Sequence, residues 1–475
     1  MHGTAPRGSS GQMAVDTTTS PPCPREQIPG RDLFSGSIHR AIWFLAPAMM
    51  LETGILNVSD LLDAFWVGRL GSAALAAVTL GIAVRWVLNS VAMGLGIGGM
   101  AIVARRVGAQ DQEAADHATG QTILLGLTLS LVLAVTGLTV ARPLLQLMGA
   151  DAQVLPLGLT YLRITFVGSF TWVLVYVINA MIRGAGEAQL AMRILLLTTA
   201  VIVISEPILV LGLGPVPKLG IAGSAGAYVL GFGSGLLLQI TSLMRGKMNI
   251  RLRLRHLRLD VPLMGRIIGI ALPSAIQMTL RSTSNMILVA LVGAFGTFAT
   301  AGYGLADRFL LIILVPCFGL GNTSGTLVGQ SLGAGKPQRA ERSAYWVSAY
   351  AAGYLLTVTT LLFVFARPLV AFFDPTPEVV DIGAMCIRIV TFSLVFDGIG
   401  FVLGRGLDGA GNTQPAAAIN LLTLWGLQLP VALGLSQWLG FGLVGIWWGR
   451  SLANVANGLL FATWFRRGKW KERNV

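Results

Sequence analysis

Six carboxylates fall inside stretches otherwise apolar enough to lie in lipid: Glu52, Asp60, Asp63, Glu206, Asp307 and Asp397. A charge at the centre of a bilayer costs about 3 kcal/mol or more, so an acid there marks a functional position by default. Three of the six share one segment. At 100° per residue, Glu52, Ser59 and Asp63 fall within about 40° of one another, and Asp60 lies about 60° further round. Such a polar stripe on an apolar helix must face a cavity or a partner. Buried carboxyl groups resist ionisation, so these residues can exchange a proton or hold a small cation. The alternatives are a structural hydrogen-bond network or, for Asp60 and Asp63, nearness to the membrane edge.

Glu206 precedes Pro207, whose missing N–H frees a backbone carbonyl one turn earlier, beside the carboxylate. Ser224, Asn179 and Tyr176 are the residues expected to complete the same pocket. Asp397 and Asp307 lie in the second half of the chain, together with the intramembrane cations Arg281 and Arg308. Asp397 either binds a cation or pairs with one of these arginines. Asp307 reads as structural, and Pro47 and Pro207 are the candidate hinges.

The elements that must position these groups follow from composition. Of 475 residues, 54% are hydrophobic and 12% charged, with a mean hydropathy of +0.71. Soluble domains carry about 25% charge to wet their surfaces, so this chain needs a bilayer as solvent. The net charge of +13 does not imply nucleic acid, because its Lys and Arg sit mainly in gaps between apolar runs. Three cysteines (Cys23, Cys317, Cys386) and four scattered histidines form no disulfide framework or metal cluster. No nucleotide-hydrolysing motif is present. Gly94–Gly99 matches a glycine-rich phosphate loop in form only, since it lies within an apolar span with no strand before it.

About twelve apolar stretches reach the roughly 20 residues that cross a bilayer as a helix. With the amino terminus inside, alternate loops hold 24 Lys and Arg on one side against 4 on the other, which places both termini in the cytoplasm. The total of 24 includes Arg183 and Arg405. Residues 1–36 read as a disordered tail, 37–244 and 262–465 as two six-helix lobes, 245–261 as a basic linker and 466–475 as a basic tail. The lobes are an internal repeat at an offset of 225 residues: Ala141-Arg-Pro-Leu144 recurs as Ala366-Arg-Pro-Leu369, and Gly184-Ala-Gly186 as Gly409-Ala-Gly411. Six helices per lobe make the copies parallel, and transporters of this kind bind substrate between them near the midplane. Trp43, Trp66 and Trp172 are candidates to stack on a substrate cation.

The repeated segments resemble the multidrug and toxic compound extrusion (MATE) family over nearly all of residues 37–465. The likeness rests on Asp63-Ala-Phe-Trp-Val-Gly-Arg-Leu-Gly71 after a proline-bearing first helix, Val328-Gly-Gln-Ser-Leu-Gly-Ala-Gly-Lys336, Ile182-Arg-Gly-Ala-Gly186 and the run beginning Glu206-Pro-Ile-Leu. It implies an all-α, V-shaped pair of lobes that exports amphipathic, often cationic compounds against H⁺ or Na⁺, without a cofactor, as a monomer in the cell inner membrane. Glu206 is similar to an acidic position of the DinF-like branch. That branch usually has Asp there with Asn four residues earlier, where this chain has Ile202, and the departure favours H⁺. The runner-up is a lipid-linked oligosaccharide flippase of the same superfamily. A membrane-embedded enzyme would need a constellation that the spans lack.

Overall fold

With no water in the hydrocarbon region, each backbone N–H and C=O must bond within its own segment, and the apolar stretches fold as helices. The computed structural model describes residues 36–213, 217–246 and 248–473, apart from the side chains of residues 56–61 and 64. The expected tail therefore lies outside the described residues, except for its last position, and so does the side chain of Asp60. The helices are α1 (Ile38–Gly68), α2 (Ser72–Gly108), α3 (Gln112–Leu147), α4 (Val154–Val167), α5 (Ser169–Gly184), α6 (Ala188–Leu211), α7 (Ile221–Arg245), α8 (Val261–Gly293), α9 (Thr297–Gly333), α10 (Pro337–Phe373), α11 (Pro377–Val390), α12 (Ser393–Gly409), α13 (Thr413–Asn420), α14 (Leu429–Leu433) and α15 (Gly442–Arg466).

Among the described residues, eight helical stretches are long and apolar enough to cross a membrane. Two more spans are bent pairs, α4 with α5 at 51° and α11 with α12 at 53°. Together with α1 and α15 they make twelve helical units. The last unit, α15, is less apolar because Arg450, Asn454 and Asn457 turn inward to protein partners. The eleventh unit is not a plain α-helix: its α13 and α14 are joined by π-helical turns over Leu421–Gln428.

The 225-residue repeat is visible element by element. α2 and α9 are equivalent, as are α3 and α10, and the two bent pairs. It also governs how the halves meet. A methyl group at Gly108 would overlap the carbonyl of Gln330, and one at Gly333 would overlap the carbonyl of Arg105. These two contacts are the same contact seen from either copy. In like fashion Gly94 of α2 lies against Ala275 of α8, and Gly319 of α9 lies against Met50 of α1. The first helix of each half thus packs on the second helix of the other.

Polar bonds join the halves at this same end. Gln330 Nε2 donates to the Gly184 carbonyl at 2.8 Å, Arg105 Nη2 to the Ala410 carbonyl at 3.0 Å, and Thr326 Oγ1 to the Arg183 carbonyl at 3.2 Å. Overpacking a close-packed contact costs about 1–3 kcal/mol. Gly333→Ala is therefore expected to lower thermal stability in detergent by that amount, whereas Gly353→Ala, with open space at its Cβ, is expected to be neutral or slightly stabilising. A thermal-shift comparison of the two variants checks this.

Candidate functional site

Gly223 of α7 has no room for a side chain against the Leu209 carbonyl of α6, and Gly231 and Gly235 press on Ile202 and Thr198. This glycine face lets α7 lie close along α6 and brings Ser224 up to α1. There Ser224 Oγ donates to Asp63 Oδ1 at 2.5 Å. Gly81 of α2 makes room in the same way for the Tyr161 ring of α4. One helical turn on, Arg85 is buried with its guanidinium 4.1 Å from the centre of the Tyr228 ring.

The result is a small cavity of ≈ 10 Å³ lined by Asp63, Arg85, Tyr161, Ile202, Glu206, Ser224 and Tyr228. Glu206 is 1% exposed. The two carboxylates stand 143 positions apart in sequence and face one space. With both ionised beside one guanidinium, the site carries one net negative charge. That space has room for about one water.

The other expected residues go elsewhere. Glu52 does not join Asp63, although both lie on α1. Eleven residues separate them, roughly 16 Å along a helix. Glu52 Oε1 instead accepts from Asn179 Nδ2 at 2.6 Å and pairs with Arg183. Asn179 is thereby assigned to Glu52, and neither it nor Tyr176 lines the cavity, contrary to the expectation that both would. Tyr176 packs against Phe232 with ring centres 5.7 Å apart. Arg183, counted from sequence as a loop cation, is drawn inward by this pair, and Arg405, counted likewise, is buried inside α12 beside Asp408. The helices run further than the hydropathy minima between them suggest.

In the second half Arg281 Nη2 bonds Asp397 Oδ2 at 2.6 Å. Asp307 Oδ1 accepts from Arg450 at 2.8 Å, and the same guanidinium reaches the Tyr303 hydroxyl at 2.9 Å. The positions 225 residues beyond Asp63, Arg85, Glu206 and Ser224 are Leu288, Leu310, Val431 and Gly449. The acidic cavity is confined to one copy of the repeat. Of the candidate hinges, Pro47 lies within an unbroken α1 and Pro207 within α6. Trp172 is fully buried, which withdraws it as a stacking platform, whereas Trp43 is 66% exposed.

Arg85, Tyr161 and Tyr228 line the cavity without being singled out by the sequence, and of these Arg85 carried a signal. The signal was available: an arginine in an apolar span meets the same intramembrane-charge criterion as the carboxylates. Among the described residues no group of three or more His, Cys, Asp or Glu is placed to hold a metal ion.

The model of the MatE family matches residues 48–207 and again 273–433, one match in each copy of the repeat. The chain is 27% identical over 439 residues to a probable multidrug resistance protein, YoeA, of Bacillus subtilis, covering 91% of this chain and 94% of that one. It is 28% identical over 394 residues to an FAD transporter of Shewanella oneidensis, covering 80% and 84%. A crystal structure of MATE in the bent conformation superposes with a TM-score of 0.87 at 25% identity, covering 92% of this chain and 97% of that chain.

Proposed function

The chain belongs to the MatE family of membrane transporters, and from that premise we propose that it exports amphipathic organic cations in exchange for protons handled at the Asp63–Glu206 cavity. The carrying observation is that these two carboxylates, from α1 and α6, line one small space with Arg85. An organic substrate cannot enter a space of ≈ 10 Å³, so the cavity serves the driving ion and the drug binds outside it.

Proton coupling is favoured over sodium coupling on chemical grounds. Na⁺, a hard cation, needs several oxygen ligands. Here the cavity lining already includes a positive charge, that of Arg85, and Ile202 supplies no side-chain oxygen. Protonation of one carboxylate cancels the cavity's net negative charge and, at Asp63, weakens the acceptor of the Ser224 hydrogen bond, and α1 is then free to shift against α6 and α7. Coupling is reciprocal: the state that takes up the proton releases the drug, and drug binding disfavours the proton.

In this reading both termini face the cytoplasm of the cell inner membrane, residues 37–244 and 262–465 are the two moving lobes, and a single chain suffices. The pairing of Arg281 with Asp397 offsets one of the two cationic positions on which a flippase would rely. Counterflow of a cationic dye in proteoliposomes, with pH and Na⁺ gradients imposed separately, tests the proposal. Uptake is expected with the pH gradient alone. Uptake driven by Na⁺ alone would overturn the choice of ion.

A further inference from the structure

The segment between α7 and α8 is held by its inner face. Met248 and Ile250 are buried in the core of the first half. Asn249 N donates to Glu187 Oε1 at 2.8 Å, and Arg251 N donates to Asp116 Oδ1 at 2.5 Å. Gln121 Nε2 bonds the carbonyls of His256 and Arg258 at 2.9 and 2.6 Å, and its Oε1 accepts from Asp260 N at 3.0 Å. Asp260 then caps α8 through Leu263 N at 3.0 Å. That hydrogen bond, followed by the one from His117, holds its carboxyl below the usual carboxylate range. The segment is a fixed shelf and not a loose tether.

Its outer face is of a different kind. Leu254 is 88% exposed, Leu259 75% and Val261 71%. Among them stand the exposed guanidinium groups of Arg253 and Arg258, with Arg266 one turn into α8. Arg255 is set apart from these, because it pairs with Glu113. The shelf joins the end of one membrane-crossing helix, α7, to the start of another, α8, so it lies at the boundary between hydrocarbon and water. Apolar side chains that stand out between arginines at that level match a leaflet whose acyl chains receive leucine and whose headgroups carry negative charge.

We propose that the 253–266 shelf is a docking surface for anionic phospholipid headgroups, with Leu254 and Leu259 inserted among the upper acyl carbons and Arg253, Arg258 and Arg266 on the phosphates. The occupant is the protein's own bilayer. A soluble protein partner would not explain why the exposed leucines fall at the ends of two spans. The surface has a mechanical connection as well, because α8 continues from the shelf into its close contacts with α2 at Gly94 and Gly98. Lipid bound at the shelf therefore acts on the end where the halves are joined.

The test places an environment-sensitive fluorophore on Leu254→Cys in a Cys23→Ala background, with Cys317 and Cys386 left in place because both are buried. The full chain is reconstituted in phosphatidylcholine vesicles containing a fixed fraction of spin-labelled phosphatidylglycerol or spin-labelled phosphatidylcholine. Quenching by the anionic lipid is expected to be stronger, with the preference falling about fivefold for each arginine replaced in Arg253→Gln and Arg258→Gln. Equal quenching by the two lipids overturns the proposal. So does a probe reached only by aqueous iodide, or one shielded only after cytosolic protein is added. The readout is lipid contact and not transport, so its failure leaves the proton reading standing.

Discussion

Proteoliposomes carrying Asp63→Asn or Glu206→Gln are expected to lose proton-driven dye efflux while keeping the ability to bind the dye. Each substitution is nearly isosteric and keeps a hydrogen-bonding group. Ser224 can still donate to the amide oxygen at position 63, so the fold has no reason to change. What disappears is the negative charge that lets the cavity distinguish its protonated from its unprotonated state. Coupling energies between sites are typically 1–3 kcal/mol, a factor of about 5 to 150, and the ratio of efflux with a pH gradient to efflux without one is expected to fall by that factor. Dye affinity measured at a pH where the wild-type cavity is ionised provides the control. In the wild type, affinity should weaken as pH falls, because the proton and the drug oppose each other; in either variant the pH slope should flatten. Full gradient-driven efflux from both variants would remove the cavity from the mechanism.

The second large effect is expected on stability, at Glu52. Its carboxylate is 4% exposed and is shared by Asn179 and Arg183, and its second oxygen, Oε2, has no partner among the described residues. Truncation in Glu52→Ala leaves the Arg183 guanidinium, itself largely buried, without its counter-charge. Breaking a buried pair by deleting one member costs about 3–5 kcal/mol, and the thermal midpoint in detergent should fall accordingly. The double change Glu52→Leu with Arg183→Met should recover much of that loss, since an apolar pair of similar volume carries no desolvation penalty. An equal or larger loss in the double variant would mean that the pair does more than balance its own burial. The Arg183 and Gly184 carbonyls accept the bonds from Thr326 and Gln330 that tie the halves together, so the single variant should also loosen the closed end.

The contrast between Asp63 and Glu52, both on α1, explains how much of the site is legible in one dimension. Both were legible as functional candidates, because a carboxylate within an apolar run is conspicuous in any one-dimensional reading. Their grouping was not. A helical projection places Glu52, Ser59 and Asp63 on one stripe, but it discards height, and about three turns of α1 separate the first acid from the last. Asn179 illustrates the same limit. It was expected beside Glu206 and belongs to Glu52, because the fourth span is two helices bent by 51° at Gly168, a feature that hydropathy averages away. Arg85 is an intramembrane cation like Arg281 and Arg308, but nothing in one dimension shows which acids share its cavity.

The sequence by itself determined the membrane class, the all-helical fold and the two-copy plan. Each of these depends on summed properties such as apolar length or on identity at a fixed offset, which survive without coordinates. Tertiary structure alone decided which charges pair, Asp397 with Arg281 and Asp307 with Arg450, and which share a space, Asp63 and Glu206 in one cavity with Arg85. Such choices depend on contacts of a few ångströms between helices distant in sequence. The glycines that permit those contacts look alike in one dimension, and the backbone or ring that each one meets becomes known when the helices are packed.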